Sequence, residues 1–266
     1  MIVCRRHLRD CWRWAMWWAT GMTALNLMTA AFFPTIEGDT SFDAVIANLP
    51  APMRSMIGMQ EGLSISTAPG YLNGRLFSLL LPVLLVVFAI GTGTRGIAGS
   101  EGDGTLELLL ANPVSRTRVL AERLAATTIL VVGLTVVSAA TLLVIGAPFG
   151  LLHGVSIASL VAGYLAAGCL ALLFGSLSFA VGACTGHKST ASGVAAAGAV
   201  GTYLLQALLA NSTGLSWMRS LSPWQWYGSQ PIIVQGAPAT AFIPALFVSA
   251  VLGVIGWRTF IARDLR

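Results

Sequence analysis

Residues 95–123 read RGIAGSEGDGTLELLLANPVSRTRVLAER, a charged island between two long apolar stretches. Seven acidic or basic side chains fall between Glu101 and Arg123, whereas the apolar stretches on either side carry none. A helix that crosses the hydrocarbon layer needs about 20 mainly apolar residues. Six windows qualify: 14–33, 76–94, 124–147, 155–183, 189–210 and 239–261. The sequence therefore predicts one all-α membrane domain over residues 1–266, with six transmembrane helices and the island between the second and third.

The composition excludes an ordinary soluble protein. The 266 residues are 56% hydrophobic and 9% charged, with a mean hydropathy of +0.79, whereas soluble domains carry about 25% charged residues. The net charge of +5 is interpreted as a topology signal, because no basic face is predicted outside the membrane. No nucleic-acid partner is expected.

The Lys and Arg residues predict the orientation, since cytoplasmic loops keep the positive charge. Arg54, Arg75 and Arg219 fall in the loops of one side. The remaining 12 of the 15 Lys and Arg residues fall on the other side of the membrane: Arg5, Arg6, Arg9, Arg13, Arg95, Arg116, Arg118, Arg123, Lys188, Arg258, Arg263 and Arg266. We therefore expect a multi-pass membrane protein with both termini in the cytoplasm.

Basic residues near the N-terminus also recur at a spacing that places them on one face of a helix. If residues 3–14 are helical, then Arg5, Arg6, Arg9 and Arg13 share an arc of about 100°. This indicates an amphipathic helix at the inner membrane surface. A plain positively charged anchor is the equally supported alternative.

The sequence offers no catalytic or metal-binding constellation. The stretch GACTGHKS at 182–189 has three residues between its glycines where a phosphate-binding loop needs four, and His187 precedes Lys188. We interpret it as a short turn. No C-x-x-C spacing occurs, and the three histidines fall in separate segments. The chain is therefore predicted not to be an enzyme and to hold no cofactor of its own.

A short helix is predicted inside the island. Thr105 can cap its first turn, and Glu107 complements its dipole. The helix must end before Pro113, because a proline disfavours helical geometry in the residue preceding it. Its apolar side chains, Leu106, Leu109 and Leu110, can fill the groove of a partner protein. A helix that merely lies on the lipid surface is the alternative. Ser115 can then cap the helix that enters the third span.

Two further features are noted outside the island. Gly193, Ala197 and Gly201 follow a four-residue spacing that lets membrane helices approach closely. They are candidates for a dimer contact, and packing within one chain is the alternative. The loop 211–238 contains Trp217, Trp224, Trp226 and Tyr227, which indicates a segment at the outer membrane interface. A role of this loop in gating the substrate is the alternative.

The island resembles the ABC-2 type permeases, the membrane subunits of ATP-binding-cassette exporters. The likeness lies in IAGSEGDGTLELLLANPVSRTRVLAERLA, residues 97–125, which is similar to a family run AGEE-x-x-GTLELLL-x-x-PVSR. Matching positions are Ala98, Gly99, Glu101, Gly104, Thr105, Leu106, Glu107, Pro113, Val114, Ser115 and Arg116. Ser100 and Asp103 depart from the family run, which changes the charge pattern offered to a partner. APGYLNGRLFSLLLP at 68–82 and LSPWQWYGSQPIIVQG at 221–236 extend the likeness.

The resemblance implies a mechanical role for the island. It would be the cytoplasmic coupling element that docks on a separate ATPase, with Glu101, Gly104, Thr105, Leu106, Glu107, Leu109, Leu110, Pro113 and Arg116 as docking residues. ATP and Mg²⁺ would bind to two ATPase subunits. A second permease, identical or homologous, would complete the export pathway, lined by parts of the first, second and fifth spans. The expected cargo is a drug, an antibiotic or a lipid-like compound. A scaffold or regulatory subunit that docks an ATPase without transporting is the alternative function.

Overall fold

The computed structural model describes residues 2–38, 48–49, 64–102, 104, 115–209, 216–228 and 230–262. This part of the chain is mainly helical and contains no β-strand. Five helical runs in this part are long and apolar enough to cross a membrane. They are Ala68–Gly102, Arg116–Phe149, Ile157–Thr185, Lys188–Leu208 and Ala239–Ala262. The first helix has 31 residues but is not among the five. A sixth crossing through that helix stays a prediction.

The helices are numbered here in chain order. They are α1 Ile2–Phe32, α2 Ala68–Gly102, α3 Arg116–Gly146, α4 Ile157–Thr185, α5 Lys188–Leu208, α6 Ser216–Ser220, α7 Pro223–Gly228, α8 Ile232–Gln235 and α9 Ile243–Ala262. Short 3-10 turns lie at Phe33–Thr35, Ala147–Phe149 and Ala239–Ala241. Helix α2 is continuous, but it takes π geometry at Leu72–Leu80 and again at Arg95–Gly99.

Helix α4 occupies the centre of the bundle, where it packs against α2, α3, α5 and α9. Small residues make its contact with α2 unusually close. A Cβ added to Gly93 of α2 would lie 2.3 Å from the carbonyl oxygen of Gly175, and one added to Gly175 would lie 3.1 Å from the Cβ of Ala89. The two backbones therefore touch directly, as small residues permit in lipid.

Helix α1 runs without interruption from Ile2 to Phe32 and packs along α3. The predicted surface helix over 3–14 and the predicted span over 14–33 are thus parts of one helix. Its four N-terminal arginines are exposed, as expected. The opposite side, with Val3, Cys4, His7 and Cys11, is buried. Val3 contacts a small apolar cluster of Ile97, Val119, Leu120, Phe179, Ala183 and Phe260. The buried face of the first turns therefore meets protein, at least in part, while the sequence left a surface helix and a plain anchor equally open.

That apolar cluster marks one end of the bundle, which we call the base. Here α1 begins, α2 ends, α3 begins, and α4 and α9 end. Helix α3 begins at Arg116, well before the predicted span at 124, so its first turns belong to the base. The side chain of Ser115 accepts a hydrogen bond from the backbone N–H of Arg118 at 3.4 Å, which confirms the predicted cap.

At the opposite end, α6 to α8 fold back onto the bundle. Trp224 and Tyr227 are only 5% and 3% exposed. The indole N–H of Trp224 donates to the carbonyl of Ala199 in α5 at 3.0 Å, and the hydroxyl of Tyr227 donates to the carbonyl of Phe77 in α2 at 2.6 Å. The predicted position at the membrane interface suits Trp217, which is 62% exposed, but not these two buried aromatics.

Candidate functional site

The predicted docking segment leaves the bundle at the base, between the end of α2 and the start of α3. Of its predicted docking residues, Thr105, Leu106, Glu107, Leu109, Leu110 and Pro113 lie outside the described residues. Glu101, Gly104 and Arg116 lie inside them. Gly104 has φ +67°, a conformation that favours glycine, and its N–H donates to the carbonyl of Glu101 at 3.0 Å. Arg116 is exposed at the first turn of α3.

Arg123 fixes the end of α2 to α3. Its side chain is only 6% exposed, and Nη1 donates to the carbonyl of Gly96 at 2.5 Å and to the hydroxyl of Ser100. A buried guanidinium is costly unless it is hydrogen-bonded. The contact therefore holds residues 96–100 against the first turns of α3. Sequence reasoning counted Arg123 only as a topology charge and missed this position.

Glu101 faces the interior of the base. Its carboxylate is packed on the turn between α4 and α5, so a Cβ added to Gly186 would lie 2.5 Å from Oε1 and 2.8 Å from Oε2. Gly102 meets the same turn, because its added Cβ would lie 3.2 Å from Cε of Lys188. The predicted docking residue Glu101 thus lies half-buried against another part of this chain.

The turn itself is the stretch that resembles a broken phosphate loop. Helix α4 ends at Thr185, Gly186 takes a left-handed φ of +72°, and α5 begins at Lys188. The N–H of Gly186 donates to the carbonyl of Gly182 at 2.9 Å, which closes α4 in the usual manner of a glycine cap. The predicted short turn is therefore found at Gly186 and His187, whereas the rest of 182–189 belongs to the two helices.

Glu122 holds the start of α1 at the base. One carboxylate oxygen accepts the backbone N–H of Cys4 at 3.0 Å, and the other accepts Nε of Arg118 at 2.9 Å. An N–H in the first turn of a helix lacks a partner within the helix, so a carboxylate satisfies both its hydrogen bond and the helix dipole.

His7 of α1 is buried, about one turn beyond Cys4. Burial, followed by the positive charge of Arg123, lowers the pKa of His7 to about 4. Its Nε2 lies 3.7 Å from Sγ of Cys11. Asp10 favours the charged imidazole, whereas Arg95 opposes it. The neutral imidazole is therefore the form that this site accepts at neutral pH.

Trp14 joins α1 to α2 above His7. Its ring stacks on Phe88 with centroids 4.8 Å apart, and the guanidinium of Arg95 lies 4.3 Å from the ring centroid of Trp14. Gly91 makes room for the indole, because an added Cβ would lie 2.8 Å from Cη2. Such a cation on an aromatic face stabilises the contact.

The small-residue stripe of α5 faces away from the rest of the described residues. Gly193, Ala197 and Gly201 are exposed, and among the described residues nothing lies within 4 Å of a Cβ added to either glycine. The alternative that these glycines pack within the chain therefore finds no support in the described part. Gly133 of α3 is equally open.

Polar groups in the middle of the bundle are used for packing. Asn26 is fully buried, and its side-chain amide donates to the carbonyl of Ser138 at 2.8 Å and to Oγ1 of Thr141 at 2.8 Å. Its oxygen accepts the hydroxyl of Tyr164 at 3.3 Å. These bonds join α1, α3 and α4. In the described ranges no group of three His, Cys, Asp or Glu residues could hold a metal ion.

Comparison with known proteins agrees with this architecture. A family model described as ABC-2 family transporter protein matches residues 5–260, nearly the whole chain. No curated protein gives a significant match to the sequence.

Proposed function

The chain belongs to the ABC-2 family of transporter proteins, and from this premise we propose that it is the permease subunit of a bacterial ABC exporter, driven by two separate ATPase subunits. As a member of that family it is a multi-pass membrane component of an ABC transporter and does not itself catalyse hydrolysis. The ATPase subunits would hold ATP and Mg²⁺. Both termini of the permease would face the cytoplasm.

One observation carries the proposal: the predicted docking segment starts and ends on fixed structure. It leaves α2 beside Glu101 and enters α3 through the Ser115 cap. Arg123 joins those two helices with the hydrogen bonds to Gly96 and Ser100. A force applied by an ATPase to residues 103–115 would therefore act on α2 and α3 together, as a rigid-body movement.

The docking role is tested by replacing Leu109 and Leu110 together with serine. A buried leucine contributes about 1.5–3 kcal/mol, so the double change should weaken binding of the ATPase by at least ten-fold. The measurement is copurification and titration with a cognate ATP-binding-cassette ATPase. The matched control replaces both leucines with methionine, which keeps the apolar volume and should bind normally. Normal binding by the double serine variant would mean that the segment lies on lipid and does not dock.

Pairing with a second permease through α5 is supported by the outward stripe of Gly193, Ala197 and Gly201. Replacing Gly201 with leucine should reduce self-association in detergent, since the bulk prevents close approach of two helices. Gly133→Leu is the matched control, because Gly133 is equally open but lacks the repeated spacing. Equal loss of self-association in both variants would contradict this dimer contact.

The cargo follows only from the family likeness, which favours a drug, an antibiotic or a lipid-like compound. The exposed arginines at the start of α1 support contact with anionic lipid at the inner surface. Reconstitution of the permease and its ATPase in vesicles separates an exporter from a scaffold: an exporter moves compounds when ATP is supplied, and a scaffold binds the ATPase without transport.

A further inference from the structure

Glu101 connects the end of α2, which we call the root of the docking segment, to the turn between α4 and α5. This contact indicates which helix a movement of the docking segment would reach. The root, residues 96–102, is held on one side by Arg123. On the other side its last residues touch Gly186 and Lys188. It therefore lies between α3 and the turn from which α5 begins.

The contact with the turn is tight enough to transmit a displacement. The carboxylate of Glu101 is so close to Gly186 that a single added methyl group would have to push it away. Along the preceding turns, α2 and α4 are already in direct contact: a Cβ at Gly96 would lie 2.7 Å from the ring of Phe179, and one at Gly182 would lie 3.3 Å from Cβ of Ala98. Dense packing of this kind transmits strain with little compression.

A movement passed through this contact would reach α5, the helix that carries the outward stripe of small residues. Helix α5 begins at Lys188, immediately after the turn, and carries Gly193, Ala197 and Gly201 on its open face. A shift of the turn would move the first turns of α5 relative to whatever covers that face. Helix α5 is otherwise fixed chiefly by its packing on α4.

We infer that Glu101 is a positioning residue that couples the docking segment to the start of α5, and that it does not itself dock on the ATPase. The inference rests on the proposed function and deepens it. Nucleotide-driven movement of the ATPase would reach α2 and α3 through Arg123, and α5 through Glu101. The side chain acts by its packing on Gly186, so the contact can be broken from either partner.

The experiment uses the full complex of permease and ATPase in lipid nanodiscs, compared without nucleotide and after trapping with ATP and vanadate. Hydrogen–deuterium exchange is followed in peptides that cover residues 183–192. Wild-type protein should show a change in uptake on trapping. Glu101→Ala removes the packing group and should reduce that change by at least half, while the ATPase copurifies in the normal ratio.

Gly186→Ala breaks the same contact from the other side and should reproduce the effect. Because Gly186 has φ +72°, this variant also strains the backbone. Gly236→Ala is the matched control, since Gly236 has φ +79° but nothing within 4 Å of an added Cβ. It should leave the trapping response intact.

The outcomes separate this inference from the proposed function. If the ATPase does not copurify with the wild-type chain, the proposed function fails and this inference falls with it. If the ATPase binds but the turn does not respond, or if Glu101→Ala keeps the full response, only this inference is overturned. A ten-fold loss of ATPase binding in Glu101→Ala would also overturn it, by making Glu101 a docking residue.

Discussion

Lowering the pH should loosen the base of the bundle through His7, which lies before the predicted first span. Its pKa falls from the model-peptide value of 6.5 to about 4 on folding, mainly by burial and then by the charge of Arg123. The unfolded chain therefore binds more protons between pH 4 and 6.5, so stability rises with pH across that window. The contribution is complete above pH 6.5 and is lost as the pH falls towards 4. At 1.36 kcal/mol per pKa unit, it amounts to about 3 kcal/mol.

The assay is thermal unfolding in detergent between pH 4 and 7.5, comparing wild type with His7→Gln. Glutamine can still hydrogen-bond but cannot take up a proton in this range. The variant should therefore lose much of the pH dependence below 6.5, although titrating carboxylates still contribute to it. His153→Gln is the matched control, because His153 is exposed, and it should behave like wild type. Identical pH profiles for wild type and His7→Gln would refute the argument that burial keeps this imidazole neutral.

Three further predictions concern the packing of α1. Asn26→Leu should destabilise the bundle by about 1–3 kcal/mol in thermal unfolding, because two short interhelical hydrogen bonds are lost; an unchanged midpoint would show that these bonds contribute nothing. Gly91→Leu should cost about 1–3 kcal/mol by overpacking against Trp14, whereas Gly21→Leu, with nothing within 4 Å, should cost much less. Glu122→Gln should speed hydrogen exchange in the first turn of α1 at neutral pH. Equal exchange in both proteins at pH 7 would contradict this role of Glu122.

The sequence predicts the apolar spans well because helix length and hydropathy are local properties. Helix α4 is predicted at 155–183 and found at Ile157–Thr185, and the run that contains α9 is predicted at 239–261 and found at Ala239–Ala262. The Ser115 cap and the turn at Gly186 also follow from local chemistry. The ends of α2 and α3 extend beyond their predicted spans, since hydropathy defines the apolar part of a helix and not its full length.

Burial of polar side chains could not be predicted in the same way. Arg123 and His7 lie in segments whose pattern equally suits an exposed basic anchor. What buries them is tertiary packing: Arg123 is bonded to the carbonyl of Gly96 in α2, and His7 lies on the buried side of α1, which packs along α3. Trp224 and Tyr227 present the same ambiguity, because an aromatic belt and a buried aromatic contact have the same composition.

Both ends of α2 bind side chains from other parts of the chain, and each of these contacts lies in a π segment. In each, a backbone carbonyl accepts a side chain from elsewhere in the chain: Phe77 accepts from Tyr227, and Gly96 accepts from Arg123. A π turn changes the direction of its carbonyls relative to an α-helix, and such turns are frequent at functional sites. Between them, α2 lies in backbone contact with α4 at Gly93. Helix α2 therefore connects the aromatic segment at one end of the bundle with the root of the docking segment at the other, through hydrogen bonds at Phe77 and Gly96 and close packing at Gly93.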